Sequence, residues 1–238
     1  MVDIHSHILP GVDDGSKNME QTIQMLQIAC KEGIDCIIAT PHYKVNHQNP
    51  DMEELKGKLL LVRDEAKKIN EKFDIKLGNE IYYSNTIFEH LNDGKALTLA
   101  DTRYVLVEFS TTESYQNIKQ GLHQLLMNGY LPILAHVERY ECLFQNYEGI
   151  YKMIGMGAYM QMNISSITGK LLSKRTRFCR KLIRYGLIHL LATDAHSDSE
   201  RSPTMRKGIN ILQKKIKKPA VNRILLENPA KLLENKYI

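Results

Sequence analysis

Histidine and carboxylate side chains in this sequence stand at or just after the ends of short apolar runs. These residues are His5, His7, His42, Glu80, Glu108, His136, Asp194 and His196. Within the His-x-His and Asp-x-His pairs, an extended backbone points both side chains of the pair in the same direction. Imidazole and carboxylate groups without thiolates suit Mn, Fe or Zn, and they disfavour a structural zinc site.

Gathering several carboxylates in one place is costly unless something compensates their charge. Buried carboxylates must be paired or metal-bound, and carboxylates that face each other repel. Divalent metals remove this cost, and glutamates such as Glu80 and Glu108 are able to bridge two ions about 3.5–4 Å apart, as in hydrolytic two-metal centres. The sequence therefore predicts a multinuclear metal centre. Asp13 and Asp14 belong to an Asp-Asp-Gly turn. Whether one of them also reaches a metal is left open here, with Asp14 as the candidate ligand.

Two arginines are placed to act on a substrate beside these residues. Arg139 follows His136 by three residues, and Arg201 follows Asp194 by seven. Both should overhang the cluster, where a guanidinium group binds phosphate oxygens. The other four histidines are expected to be surface or packing residues. They are His47, His90, His123 and His189.

Alternating elements must bring these side chains together. Seven β-rich runs alternate with helical stretches, and the runs are Val2–His5, Ile34–Thr40, Phe73–Glu80, Arg103–Phe109, Leu131–His136, Ala158–Ile164 and Leu187–Thr193. This alternation predicts an α/β fold with a parallel sheet, either a barrel or a doubly wound sheet. In a barrel the C-terminal ends of the strands converge on one face, where active sites are built.

Helices are predicted between and after these strands. Ser16 is expected to cap the first helix, which Gly33 ends, and Asp51 with Glu54 resembles a capping box at the start of the second. The later helices are predicted over Thr86–Leu91, Gln116–Asn128, Tyr147–Met156, Leu171–Tyr185, Pro203–Lys214 and Pro219–Asn235.

Composition narrows the class of protein further. The chain has 238 residues, a size that α/β barrels reach as one domain. The net charge of +5 is modest, so nucleic acid is not an expected partner. Without a secretory signal or an apolar run of about 20 residues, the chain is expected to be cytoplasmic and not inserted in a membrane. The four cysteines should be reduced, and none has an arginine six residues later, which excludes a cysteine-based phosphatase.

The motifs together resemble the polymerase-and-histidinol-phosphatase (PHP) family, nearly from end to end. They are Asp-Ile-His-Ser-His-Ile-Leu-Pro-Gly-Val-Asp-Asp-Gly from Asp3, Ala-Thr-Pro-His ending at His42, Gly-Asn-Glu-Ile-Tyr-Tyr from Gly78, Val-Glu-Phe from Val107, Ala-His-Val-Glu-Arg from Ala135 and Ala-Thr-Asp-Ala-His from Ala192. Within the family, the sequence is most similar to the manganese-dependent tyrosine phosphatases of Gram-positive capsule and exopolysaccharide operons. The resemblance implies a distorted, TIM-like (β/α)7 barrel that forms a single domain over residues 1–238.

The resemblance also implies a ligand set for three metal ions, Mn²⁺ with Fe or Zn as alternatives. One ion would take His5, His7, Glu80 and Asp194; a second would take Glu80, Glu108 and His136; the third would take His42 and His196, with Asp14 left open. Arg139 and Arg201 match the phosphate-binding arginines of the family. Together with His42 they are the residues predicted to act on the substrate.

The implied reaction is hydrolysis of protein phosphotyrosine. The implied partner is the phosphorylated, Tyr-rich tail of a membrane-associated bacterial tyrosine kinase that regulates polysaccharide synthesis. The alternative is a small-molecule phosphatase of the same superfamily, such as one that acts on histidinol phosphate. From another class comes a non-catalytic metal-binding scaffold, which an intact ligand set and two arginines disfavour. The sequence leaves the oligomeric state and the processed tyrosines open.

Overall fold

Short parallel strands form the wall of the structure, a computed structural model that describes residues 1–170 and 172–238. The strands in these ranges are β1 (Val2–Ser6), β2 (Cys36–Ala39), β3 (His42–Lys44), β4 (Asp74–Leu77), β5 (Glu80–Tyr82), β6 (Tyr104–Glu108), β7 (Leu131–Leu134), β8 (Tyr159–Asn163) and β9 (Leu190–Ala192). They form a sheet of order β1-β2-β4 and a sheet of order β3-β5-β6-β7-β8-β9. All of these pairings are parallel, as the alternation of strands and helices predicts.

The two sheets join into one barrel, in which the nine strands occupy seven positions. Strands β2 and β3 are successive segments at one position, and β4 and β5 are successive segments at the next. Past the end of β9, the amide of Asp194 donates to the carbonyl of His5 at 2.9 Å, and the amide of His7 donates to the carbonyl of Ala195 at 2.8 Å. These bonds connect the segment after β9 with β1 and the residue that follows it. The predicted distorted seven-stranded barrel is confirmed.

Breaks after Ala39 and after Leu77 divide two of the strands. The first break lies at the end of the predicted run Ile34–Thr40, where Pro41 has no amide hydrogen for the ladder. The second lies inside the predicted run Phe73–Glu80, where the backbone of Gly78 lies so close to Leu99 that an added Cβ would meet its Cδ2 at 2.8 Å. The sequence prediction was therefore wrong in treating Phe73–Glu80 as one continuous strand, and it did not include the short strand that begins at His42.

The breaks place two of the candidate side chains at the start of new strand segments. His42 is the first residue of β3 and Glu80 is the first residue of β5, and their Cα atoms are partners in the register. One step along the sheet, Glu80 pairs with Leu106, and Tyr82 pairs with Glu108. His42, Glu80 and Glu108 therefore lie on the adjacent strands β3, β5 and β6.

Helices cover the outside of the barrel. Those in the described ranges are α1 (Met19–Glu32), α2 (Met52–Ile69), α3 (Ile87–Asn92), α4 (Tyr115–Met127), α5 (Tyr147–Gly155), α6 (Lys174–Arg184), α7 (Arg206–Lys215), α8 (Lys218–Asn222) and α9 (Asn228–Leu233). A π-helical turn over Arg223–Glu227 joins α8 to α9, where the sequence predicted one helix. Short 3₁₀ turns follow several strands.

The N-termini of α1 and α2 are each capped by a side chain. Asp51 accepts a hydrogen bond from the amide of Glu54, so the predicted cap of α2 is confirmed. The cap predicted for α1 was wrong, because Asn18 rather than Ser16 accepts from the amide of Gln21. The Ser16 hydroxyl instead donates to the carbonyl of Asn18.

Helix α6 starts later than the sequence predicted. Of the predicted range Leu171–Tyr185, Leu171 lies outside the described residues, and the helix begins at Lys174. Ser173 is its N-cap. Similarly, α7 begins at Arg206 rather than at the predicted Pro203.

The apolar core has an inner and an outer part. The inner part fills the barrel with residues such as Ile4, Ile38, Leu106 and Ile133, all with no exposed surface. The outer part lies between the strands and the helices and uses the alternate strand positions. Side chains of the inner face end at Glu108 on β6, two residues beyond Leu106. The packed interior thus leads directly up to the polar cluster.

The cysteines and the helix lengths agree with the composition. The structure contains Cys30, Cys36, Cys142 and Cys179 as free thiols, of which Cys36 and Cys179 are buried. Among the described residues, no helix has the length and apolar character needed to cross a membrane.

His189 is a half-buried packing residue outside the polar cluster, as expected. Its Nδ1 accepts a hydrogen bond from the amide of Met160 at 3.1 Å, and its ring packs edge-on against Tyr159. The accepted bond requires neutral imidazole. Burial lowers the pKa of His189 to about 4.

This depressed pKa makes the fold sensitive to acid. Between about pH 6.5 and pH 4 the unfolded chain binds a proton at His189 that the folded chain does not, so stability falls as the pH falls. The substitution His189→Asn keeps an acceptor without the titration. Between pH 7 and pH 4.5, the wild type should lose about 2–3 kcal/mol more unfolding free energy than this variant. Denaturant unfolding at both pH values measures the difference, with the exposed His123→Asn as control; equal losses in all three proteins would contradict the prediction.

Candidate metal centre

All nine candidate histidines and carboxylates lie together at the C-terminal ends of the strands. Three overlapping groups have donor atoms close enough to hold a metal ion. They are His5, His7, Glu80 and Asp194; His42, Glu80 and Glu108; and His7, Asp14, His42 and His196. His136 joins the second group, because its Nε2 lies 2.8 Å from Oε1 of Glu80 and 3.5 Å from Oε2 of Glu108. The structure leaves none of the nine outside the cluster.

The first group is the most deeply buried. The Nε2 atoms of His5 and His7 each lie 3.2 Å from Oε2 of Glu80, and 3.4 Å and 3.6 Å from Oδ1 of Asp194. The four residues are between 0% and 2% exposed. Four donor atoms, from β1, the residue that follows it, β5 and the loop after β9, thus converge away from water.

The histidine tautomers show that this group suits a cation. The Nδ1 of His7 lies 2.7 Å from Oδ2 of Asp13, and the Nδ1 of His5 lies 3.4 Å from Oε1 of Gln161. Because these partners are acceptors, each Nδ1 carries the hydrogen when the ring is neutral, and each Nε2 presents a lone pair. The two Nε2 atoms lie 3.2 Å apart and face the carboxylates of Glu80 and Asp194. A divalent cation accepts all four donors at once, so the residues fit a metal.

The second group surrounds Glu80 from the other side. The Nδ1 of His42 lies 3.1 Å from Oε2 of Glu80 and 3.3 Å from Oε1 of Glu108. Glu80 therefore takes part in both groups, with one oxygen toward His5 and His7 and the other toward His136. Oε2 also faces His42, so a carboxylate in this position would be able to bridge two ions.

The third group includes the exposed edge of the cluster. The Oδ1 atom of Asp14 lies 3.3 Å from Nε2 of His42 and 3.5 Å from Nε2 of His196. Asp14 is 67% exposed and His42 is 36% exposed. The turn Asp-Asp-Gly thus brings Asp14 back to the cluster, where its carboxylate is able to serve as a third donor.

The two oxygens of Asp194 have separate partners. Oδ1 faces the histidines, whereas Oδ2 accepts hydrogen bonds from Nη2 of Arg139 at 2.6 Å, Nη2 of Arg201 at 2.8 Å and Nδ2 of Asn163 at 2.8 Å. Both arginines remain more than a third exposed. They stand at the rim of the cluster, as the sequence predicts, with one face open to an incoming anion.

Protons compensate the carboxylates when no cation is bound. Burial alone would lower the pKa of His7, but its hydrogen bonds to Asp13 and Glu80 outweigh burial and raise this pKa to about 10. Burial also opposes ionisation of Glu80, yet the charge of His5 and a hydrogen bond from His136 hold the pKa of Glu80 well below its ordinary value. A metal that binds these groups must displace such protons.

The chain matches one protein family along almost its whole length. A family profile described as capsular polysaccharide synthesis, CpsB/CapC, matches residues 1–234. The chain belongs to the CpsB/CapC family.

Individual relatives of this CpsB/CapC-family chain match along its whole length. It is 34% identical to the tyrosine-protein phosphatase CpsB of Streptococcus pneumoniae, covering 100% of both chains. It is 32% identical to the tyrosine-protein phosphatase YwqE of Bacillus subtilis, covering 100% of this chain and 93% of YwqE. A crystal structure from a study of YwqE and CpsB as metal-dependent tyrosine phosphatases superposes with a TM-score of 0.91 at 29% identity, covering 100% of this chain and 96% of that one.

Sequence reasoning missed several residues that orient the cluster of the CpsB/CapC-family chain. Gln161 accepts from the amide of His136 at 2.7 Å and faces His5, and Asn163 holds Asp194. Both lie on β8, two residues apart, so they point the same way into the barrel. Two polar residues in an otherwise apolar strand, at the spacing of one strand face, were the available signal. The sequence left the role of Asp13 open between turn and metal, and its contact with His7 was not predicted.

Two cluster residues adopt left-handed backbone conformations. His136 has a φ of 32° and Asp194 has a φ of 53°. Such conformations cost about 1–3 kcal/mol each in residues other than glycine, and they persist where the surroundings hold them. Each residue lies two residues beyond the end of a strand, and the sharp turn there directs the side chain of His136 toward Glu80 and that of Asp194 toward the arginines.

Asp13 should control how well the CpsB/CapC-family chain binds metal. Its carboxylate fixes the ring of His7 at 2.7 Å and also accepts from the amides of Gly15 and His42. Replacing it with Asn removes the charge that orients His7, so metal affinity should fall about 10- to 100-fold. Titration of the metal-free protein with Mn²⁺ measures this change. The exposed Asp35→Asn serves as control, and unchanged affinity in Asp13→Asn would show that His7 needs no such support.

Proposed function

We propose that this chain hydrolyses phosphotyrosine in proteins by a metal-dependent reaction. The observation that supports this most strongly is the overlap of three donor groups at Glu80 and His42, with Arg139 and Arg201 beside them. Such a site provides positive charge around a space at the rim, which a phosphate monoester requires. Full-length similarity to tyrosine-protein phosphatases adds the substrate class.

We assign three ions, Mn²⁺ in the first instance, to the three donor groups. The first ion would be held by His5, His7, Glu80 and Asp194. The second would be held by Glu80, Glu108 and His136, and the third by His42, His196 and Asp14. Fe or Zn would be accepted by the same ligands.

Bound divalent ions would supply charge for the phosphate oxygens and make hydroxide available near neutral pH. The chain's own groups then orient the substrate. Arg139 and Arg201 donate to non-bridging phosphate oxygens, and their planar donor pairs hold the phosphoryl group in one orientation. Gln161 and Asn163 keep His5 and Asp194 in place, so the cluster need not reorganise during the reaction.

The phosphotyrosine leaving group suits this site. A tyrosine side chain leaves as a phenolate with a pKa of about 10, so it needs less help from a general acid than an alkoxide does. We propose as substrate the Tyr-rich tail of a membrane-associated tyrosine kinase that regulates capsular polysaccharide synthesis, processed in the cytoplasm. Histidinol phosphate, an alkyl phosphate, is the alternative substrate, and the named relatives do not favour it.

The arginines provide a test of the proposed substrate contacts. Arg139→Lys keeps a positive charge but loses the paired donors, so kcat/KM for para-nitrophenyl phosphate should fall about 10²-fold. Steady-state kinetics at saturating Mn²⁺ measure this fall. Arg184→Lys, on the exposed face of α6, is the matched control. An Arg139→Lys enzyme as active as the control would remove this arginine from the site.

The proposed function itself is tested with three substrates. The purified protein with Mn²⁺ should hydrolyse a phosphotyrosyl peptide, and excess chelator should abolish this activity. Histidinol phosphate and a phosphodiester should be poor substrates under the same conditions. Activity confined to histidinol phosphate would favour the alternative. Inactivity on all three substrates would favour a metal-binding scaffold without catalysis.

A further inference from the structure

A groove lies beside the metal centre and is not used by the mechanism above. It has a volume of about 420 Å³, and its walls come from the segment Tyr82–Asn85, from Phe109, Ser110 and Glu113, and from Asn117, Gln120 and Gly121 on α4. None of these residues belongs to the nine cluster residues. The groove is therefore a separate feature of the same face.

Two residues of the groove lie shortly after cluster residues on the same strands. Tyr82 is two residues beyond Glu80 on β5, and Phe109 directly follows Glu108 on β6. Since Tyr82 and Glu108 are partners in the register, the groove and the second donor group share the ends of the same two strands. The second donor group is also more exposed than the first, because His42 is 36% and Glu108 is 18% exposed, whereas His5 and His7 are buried.

Stacked aromatic rings make the floor of the groove rigid. The rings of Tyr83 and Phe109 stack with centroids 4.8 Å apart. Gly121 lets α4 approach them, because a Cβ at this position would lie 2.8 Å from Phe109 and 2.9 Å from Tyr83. The amide of Phe109 donates to the hydroxyl of Tyr140 at 3.2 Å, and the Tyr83 hydroxyl hydrogen-bonds to Gln124. This floor is formed before any substrate arrives.

The walls above this floor carry hydroxyl and amide groups. They are contributed by Ser84, Asn85, Ser110, Asn117 and Gln120. Neutral side chains of this kind both donate and accept hydrogen bonds, which matches the alternating donors and acceptors of an extended peptide backbone. Flat aromatic rings beneath them suit apolar or aromatic side chains. The only charged group in the lining is Glu113, which disfavours a polyanionic ligand.

We infer that this groove binds the peptide segment next to the phosphotyrosine, as a substrate-recognition subsite. The inference rests on the proposed function, because it requires a phosphotyrosyl peptide at the cluster. A phosphotyrosine side chain holds its own backbone several ångströms from the phosphate, so the neighbouring residues land beside the cluster rather than on it. The groove next to Glu108 receives them there, and it distinguishes protein substrates from small aryl phosphates.

Substitutions in α4 test this subsite without touching the cluster. Asn117 and Gln120 are exposed side chains in the groove, whereas the exposed Gln116 on the same helix does not line it. Gln120→Trp should fill the groove, and Asn117→Ala/Gln120→Ala should remove two hydrogen-bonding walls. Gln116→Ala is the matched control. The probes are a phosphotyrosyl peptide with four neutral residues on each side and para-nitrophenyl phosphate.

The double alanine variant should lower kcat/KM for the peptide about 10- to 30-fold, mainly through KM, since two hydrogen bonds of about 1 kcal/mol each are lost. Gln120→Trp should cause a loss of similar size, because its ring occupies the space of the peptide. Their kinetics with para-nitrophenyl phosphate should stay within twofold of wild type, as should those of Gln116→Ala with both probes. Equal kinetics of wild type and variants on the peptide would overturn the subsite alone, and so would parallel losses on both probes. A wild-type protein inactive on both probes with Mn²⁺ would overturn the proposed function, and the subsite with it.

Discussion

Replacing Glu80 with Gln should lower kcat for para-nitrophenyl phosphate by about 10³-fold or more and reduce the bound metal. Oε2 of Glu80 lies 3.2 Å from Nε2 of both His5 and His7, and Oε1 lies 2.8 Å from Nε2 of His136. Gln has nearly the same shape, but it has no charge and only one acceptor oxygen. It is therefore unable to serve two donor groups at once. Metal content per chain and steady-state kinetics measure the two effects.

The exposed Glu148→Gln, which breaks only a surface pair with Lys152, is the matched control for Glu80→Gln. Circular dichroism should show the same fold in both variants, since Glu80→Gln adds no volume. Full metal content with kcat within tenfold of the control would contradict the bridging role of Glu80.

Removing metal should lower the thermal unfolding midpoint by roughly 5–10 °C. A ligand at 100 times its dissociation constant stabilises a protein by about 2.7 kcal/mol, and about 1 kcal/mol corresponds to 2–4 °C at this chain length. Without a cation, Glu80, Glu108 and Asp194 face one another in a largely buried space, so the folded state loses this stabilisation. Thermal unfolding with chelator and with graded Mn²⁺ measures the shift.

The shift should grow with pH. Hydrogen bonds to carboxylates outweigh burial and raise the pKa of His7 to about 10 and that of His136 to about 9, so in the metal-free protein both rings hold protons at neutral pH. Metal must displace these protons, and higher pH favours their release. Stabilisation by Mn²⁺ should therefore be larger at pH 8 than at pH 6. Glu80→Gln should show a smaller shift at either pH, and identical midpoints with and without Mn²⁺ would exclude a structural contribution of metal.

The polar positions at strand ends were predictable from sequence, because parallel strands in a barrel bring their C-terminal ends to one face. This rule placed His5, Glu80, His136 and Asp194 together without any knowledge of the distances between them. The predicted cap at Asp51 was correct for a local reason, since its hydrogen bond joins residues three apart. The cap predicted at Ser16 rested on the same kind of local pattern and was wrong, because Asn18, two residues later, accepts from the amide of Gln21.

Features that depend on distant contacts were not predictable. The break at Gly78 lies in close contact with Leu99, which is 21 residues away in the sequence. Gln161 orients His5 and His136 across the barrel, and a single polar residue in a strand does not reveal which partners it meets. Asp13 looked like a turn residue because it is one: its carboxylate accepts from the amide of Gly15 as well as contacting His7. One residue here serves both turn and cluster.

Arg139 and Arg201 share one oxygen of Asp194, and this arrangement bears on turnover. The guanidinium groups already have an anionic partner before substrate arrives, so a phosphate that binds them exchanges with a carboxylate instead of entering a vacant cationic site. The exchange limits how tightly free phosphate is held, because Asp194 competes for the same donors. We therefore expect weak product inhibition by phosphate, which would leave the site available for successive substrates.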